Sequence, residues 1–232
     1  MPNLPPAVRL RLNIHAWALL VLVIIEGLTN FLSDNLTVGQ LTPDEQLMPH
    51  RLLYNLWLGV IVLGFLAVVI LWTLNNTRRL RVAIFLLNGL FTAQLLVATL
   101  LIVVRLMQGT KVSVSTLLVD GFVIFATNIL IFALWYWYID SANTRFLDTA
   151  IDRRWDFLFP QRQAIYPGYE NWQPRFWDYV FLAYTTSVAF SPTDTAPLSR
   201  AAKLLMVTQS IIALIAITAV VGTAINILAG SA

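Results

Sequence analysis

A chain with four predominantly apolar runs of about twenty residues each has few folds open to it. Here the runs are 12–32, 53–74, 82–104 and 117–139, each free of proline. A helix of about 20 apolar residues crosses the hydrocarbon core. In lipid, a helix is one of only two structures that satisfy their own backbone. Composition points the same way. Of 232 residues, 58% are apolar and 12% charged, against about 25% charged in an ordinary soluble domain. Too few polar residues remain to cover a water-facing surface, so the lipid bilayer is the expected partner.

Several classes of function drop out. Without cysteine there is no disulfide framework, thiolate metal site or cysteine nucleophile. Two histidines, His15 and His50, make a histidine metal centre improbable. The arginines are scattered between apolar runs, with no basic tail or aromatic–basic platform, so nucleic acid is not expected. Arg9 and Arg11 precede the apolar run 16–25 as in a signal peptide, but no small-x-small cleavage site follows. That run reads as a retained first membrane segment. Trp17, Trp57, Trp72 and the cluster Trp135-Tyr136-Trp137-Tyr138 stand near segment borders, where aromatic rings with one polar atom favour the headgroup level.

Beyond residue 139 the pattern changes. The stretch 140–173 holds five acidic residues and four arginines. Within it Phe146, Leu147, Ala150, Ile151, Arg154 and Leu158 recur at helical spacing, which predicts an amphipathic helix on the membrane surface. Residues 176–190 are apolar but short. A polar break, Ser191-Pro192-Thr193-Asp194-Thr195-Ala196-Pro197, follows, and then a long helix over about 198–228. Ser191 is the expected N-cap of a turn to which Asp194 reaches back, with Pro197 in the first turn of the last helix. The predicted fold is all-α: a polytopic bundle with four full spans, a short or re-entrant fifth helix and a long sixth. It divides into a four-helix part (1–139), a polar loop (140–175) and a helix–break–helix unit (176–232).

If all six segments cross, alternate loops carry ten and five Lys or Arg, the ten on the side of the N-terminus. The positive-inside rule then places both termini in the cytoplasm of a cell-membrane protein. A re-entrant 176–190 would instead place residues 140–175 outside the cell, on the same side as Asp194; both schemes run the last helix from outside to inside.

Ionisable groups within membrane segments cost several kcal/mol and need a reason. Glu26 lies two-thirds along the first segment, on one helical face with His15 and Asn30. It reads as a proton or cation site, or as an interfacial or hydrogen-bonded group, and the second is commoner. Asp120 reads as interfacial. Asn55, Asn88, Gln94 and Asn128 read as interhelical hydrogen bonds. Gln209, Ala213, Ala216, Ala219, Thr223 and Asn226 share one face of the last helix. Such a stripe serves close helix packing more often than it lines a pore.

Two resemblances attach to the C-terminal part. Thr185-Thr186-Ser187-Val188-Ala189-Phe190-Ser191, followed by Pro197-Leu198-Ser199-Arg200, resembles the pore helix, filter and inner helix of two-transmembrane-type potassium channels. In that family a Thr-Thr pair leads into Thr-Val-Gly-Tyr-Gly. Ala189 and Ser191 stand where the family has the glycines that turn successive carbonyls toward the ion. The resemblance therefore implies the architecture rather than potassium selectivity. Asp156-Phe157-Leu158-Phe159-Pro160, Phe176-Trp177-Asp178-Tyr179 and Ser199-Arg200 are similar to uncharacterised bacterial multi-pass membrane proteins with a domain of unknown function.

The leading expectation is a channel-like pore for small cations, formed by a homo-oligomer. Its candidate lining residues are Thr185, Thr186, Ser187, Ser191, Thr193 and Asp194, with Glu26 and Asp120 as intramembrane ionisable groups. The alternative is a non-catalytic membrane scaffold or accessory protein, in which the same residues are a cap and a turn. Catalysis is not expected. No zinc-protease, nucleophile-elbow or P-loop signature is present, and Asp152, Arg153, Arg154 and Asp156 are more simply the polar face of an interfacial helix. No cofactor is expected.

Overall fold

The structure, a computed structural model, describes residues 6–33, 49–74, 76–107, 114–140, 155–163, 168–169, 172–189 and 194–230. The elements are α1 (Pro6–Ser33), α2 (Pro49–Thr73), α3 (Thr77–Met107), α4 (Val114–Ile139), β1 (Phe157–Leu158), a single turn α5 (Pro160–Gln163), α6 (Phe176–Ala189), β2 (Ala196–Pro197) and α7 (Arg200–Gly230). Four helices, α2, α3, α4 and α7, are long and apolar enough to cross a membrane, and α1 contributes a shorter apolar stretch, Ala18–Phe31. Helix starts follow local chemistry. The Asn76 side chain accepts from the Arg79 amide at 3.2 Å and caps α3. Ser199 accepts from the Ala202 amide at 3.1 Å and caps α7. The last helix is capped by Ser199, and Pro197, expected in its first turn, sits in β2 ahead of the helix. Ser191 itself lies outside the described residues.

α4 is the hub. Of its apolar window, 61% is buried, against 11% for α2. It packs on α1, α3, α6 and α7, while α2 packs chiefly on α3. At one end of α4, Gly121 meets α7 so closely that a methyl group there would lie 2.6 Å from Val220 Cγ2. Glycine is what allows that approach. Asp120, beside it, is buried by protein.

The cluster at the other end of α4 departs from the sequence expectation. Trp135, Tyr136 and Trp137 are buried, not turned to headgroups. Tyr136 meets Phe157 with ring centroids 5.0 Å apart. Trp137 meets Phe176 at 5.2 Å. Phe159 packs on Tyr179 at 5.4 Å and on Trp172 at 5.6 Å. These rings dock the chain after α4 back onto the end of α4. Leu158, expected on an amphipathic helix, is instead in β1, paired antiparallel with β2 in the register Phe157↔Pro197 and Leu158↔Ala196. The Leu198 amide donates to the Asp156 carbonyl at 2.8 Å and extends the pairing. The other residues of that expected helix, Phe146 to Arg154, lie outside the described residues.

This pairing fixes the path of α6. Its first turn meets the last turn of α4 through Phe176 and Trp137. Eleven residues on, Ser187 has reached Asn128, mid-way along α4. By β2 the chain is again beside β1, at the end of α4 where it started. Fourteen residues give a helix of roughly 21 Å, short of the roughly 30 Å hydrocarbon core. Helix α6 therefore enters and its chain leaves at one end of the bundle.

Candidate functional site

The residues around α6 form two polar clusters, one at each end of it. The carboxyl-terminal cluster centres on Gln209 of α7, which is fully buried. Its Nε2 donates to the Ala183 carbonyl and to Ser187 Oγ, both at 2.8 Å. Its Oε1 accepts from the Tyr136 hydroxyl. Asn128 Nδ2 approaches Ser187 Oγ and the Gln209 carbonyl, both at 3.4 Å. One amide thus joins α4, α6 and α7. Two polar atoms nearby in sequence, Asn128 Oδ1 and the Thr127 hydroxyl, are buried with no hydrogen-bond partner.

The amino-terminal cluster is charged. Asp140, fully buried just past α4, accepts from the Tyr179 hydroxyl at 2.5 Å and pairs with Arg162 Nη2 at 3.2 Å. The Asp156 amide adds a contact at 3.3 Å. Arg162 also donates to the Phe157 carbonyl at 2.7 Å, and its guanidinium lies 4.7 Å from the centroid of the Trp155 ring. The pair is nearly sealed, with Arg162 only 5% exposed. A buried ion pair is tolerated when hydrogen bonds fill the remaining valences, and the Tyr179 hydroxyl and two backbone groups do so here. The start of α6 is further set by Asp178, whose carboxylate accepts from the Arg175 amide at 2.6 Å. That is half of a capping box, and its charge suits the positive end of the helix.

The residues singled out from sequence are only partly brought together. Thr186 and Ser187 enter the carboxyl-terminal cluster and are fully buried. The Thr186 hydroxyl bonds back to the Leu182 carbonyl at 2.7 Å. Thr185, half-buried, bonds back to Phe181 and Leu182, both at 3.0 Å. Such back-bonding is how hydroxyls settle in an apolar helix. Asp194 is exposed, beyond α6, beside the Thr195 hydroxyl at 3.5 Å. Ser191 and Thr193 lie outside the described residues. Glu26 stands apart on α1, where its Oε1 accepts from Asn30 at 2.9 Å and its Oε2 is buried without a partner. Asp120 lies toward the opposite end of α4 from Asp140. The face of α7 carrying Gln209, Ala213 and Ala216 is buried within the chain, so it serves packing.

None of Tyr136, Asp140, Arg162 and Tyr179 was a candidate site residue from sequence. Asp140 looked like the first residue of a polar loop, Tyr136 like an interfacial anchor, and Tyr179 entered only through a family resemblance. Asn128 and Asn88 do make interhelical bonds, Asn88 Nδ2 donating to the Ile131 carbonyl at 3.2 Å. Among the described residues no three His, Asp or Glu side chains gather as a metal site. No protein-family model, curated protein or solved structure matches the chain.

Proposed function

We propose that this membrane protein is a channel-like pore for small cations, assembled from several copies around α6 and the chain that follows it. One observation carries the reading: α6 is half-length and its chain returns to the end it entered. Irregular backbone at membrane depth survives only where protein or a water-filled cavity can satisfy it. A single short loop encloses no path, so other copies must close one. The outward face of α6, Trp177, Phe181, Tyr184 and Val188, is exposed and apolar, and is the surface they would meet. The unpartnered Asn128 Oδ1 at the foot of α6 adds a buried acceptor that water or a cation would satisfy.

The scaffold reading has its own support. The hydroxyls of Thr185 and Thr186 donate to their own helix, and Ser187 accepts from Gln209, as hydroxyls do in a packed apolar helix. Flux decides between the two. Purified protein in liposomes is expected to pass monovalent cations, and Asp194→Ala, which removes an exposed carboxylate near the mouth, is expected to slow that flux severalfold. Absence of flux, indifference to Asp194→Ala, or a monomer in lipid nanodiscs would favour the scaffold.

A further inference from the structure

Arg79, Arg81, Arg162, Arg175, Arg200 and Lys203 belong to the end of the bundle where α4 finishes. Arg79 and Arg81 open α3, which runs antiparallel to α4: Phe85 stacks edge-on against Trp135 at 4.4 Å, and Asn88 bonds Ile131. Arg162 is bonded to Asp140. Arg175 precedes α6, and Arg200 and Lys203 open α7 directly after the β1–β2 pair. Arg79, Arg175, Arg200 and Lys203 are exposed there, with the exposed Trp177 two residues after Arg175.

Because α6 turns back, Arg200 and Lys203 fall on the same side as Arg162 and Arg175. With α1 to α4 and α7 each crossing once, the whole sequence divides twelve to three, the three being Arg51, Arg105 and Lys111. Long loops weigh less in this rule, yet leaving out the five arginines of 141–175 still gives seven to three. A crossing α6 would give only ten to five.

We infer that the re-entrant helix opens on the cytoplasmic face, that its exposed cations rest on the anionic headgroups of that leaflet, and that α7 carries the C-terminus out to the opposite face. Basic groups near a membrane surface are drawn to anionic lipid by about 1 kcal/mol each, and positive charge resists translocation. This reverses the sequence expectation for the C-terminus, which was placed in the cytoplasm whether α6 crossed or returned. It stands on the path of the chain and not on ion flux, so a failed flux assay leaves it intact.

The natural chain has no cysteine, so single cysteines report without background. In the full-length protein expressed in bacterial cells, Gly230→Cys is expected to react with a membrane-impermeant maleimide from outside. Arg175→Cys and Asp194→Cys are expected to react only in inverted membrane vesicles. The reverse pattern, or residues 175 and 194 on opposite faces, or all three on one face, would overturn the inference. A C-terminal alkaline phosphatase fusion is an independent reporter, expected to be active; an inactive fusion whose fluorescent-protein counterpart glows would overturn it as well.

Discussion

At its amino end α6 is fastened through an ion pair, Asp140 with Arg162, and at its carboxyl end through neutral amides and hydroxyls, Gln209 with Ser187, Asn128 and Tyr136. The two ends differ in this way although they lie only roughly 17 Å apart along the helix. The difference follows from depth. Near the end of the bundle, backbone groups of 156–157 and the rings of Trp155 and Phe159 surround the guanidinium, so a charge is affordable there. Half-way along α4 a charged side chain would cost about 2.5–3.5 kcal/mol or more, whereas an amide supplies donors and an acceptor without ionising. Each solution has the same purpose: a helix too short to span is held in place by its neighbours rather than by the bilayer.

The sharpest way to break this comparison is at the charged end. Asp140→Ala leaves Arg162 buried without its counter-ion, and thermal unfolding in detergent is expected to show a loss of about 3–5 kcal/mol. Adding Arg162→Leu is expected to recover most of it, and a single-variant loss below about 1 kcal/mol would show the pair to be incidental. Next comes Gln209→Leu, which strands the Tyr136 hydroxyl and the Ala183 carbonyl. The expected loss is smaller, about 2 kcal/mol, because interhelical bonds in membranes are individually weak. Hydrogen exchange should separate the two variants: Asp140→Ala frays α6 from residue 176 onward, Gln209→Leu from residue 189 backward. Equal exchange along α6 in both would mean that the ends are not independent. The smallest effect is expected from Gly121→Ala, at about 1–2 kcal/mol from crowding against Val220. It should be relieved by Val220→Ala and should leave exchange in α6 unchanged.

Much of the bundle was legible in advance. The runs 53–74, 82–104 and 117–139 fall within α2, α3 and α4 or one residue beyond, since length and apolarity suffice to call such helices. The interhelical roles of Asn88 and Asn128 were legible as well, because a buried amide in a membrane helix has few other uses. The aromatic cluster 135–138 was misread. A tyrosine or tryptophan at a segment border looks the same whether it faces headgroups or a folded-back loop, and only Phe157, Phe159 and Phe176 arriving from later in the chain decide it. Pro197 was placed in the first turn of the last helix for a local reason: a proline ahead of an apolar run looks the same there as in a short strand, and only pairing with Phe157 decides it.

What the sequence by itself determined is that the chain lies in a membrane as helices, because too few polar residues exist to cover it and long apolar helices alone satisfy their backbone in lipid. It also determined that 176–189 is a helix too short to be comfortable as a span. Where the chain goes after that helix was decided only by tertiary structure, which brings β2 back beside β1 at the end of α4. The contacts that answer it, Phe157 with Pro197, Asp140 with Arg162 and Tyr179, and Ser187 with Gln209 and Asn128, join residues far apart in the chain. No local period or spacing encodes them.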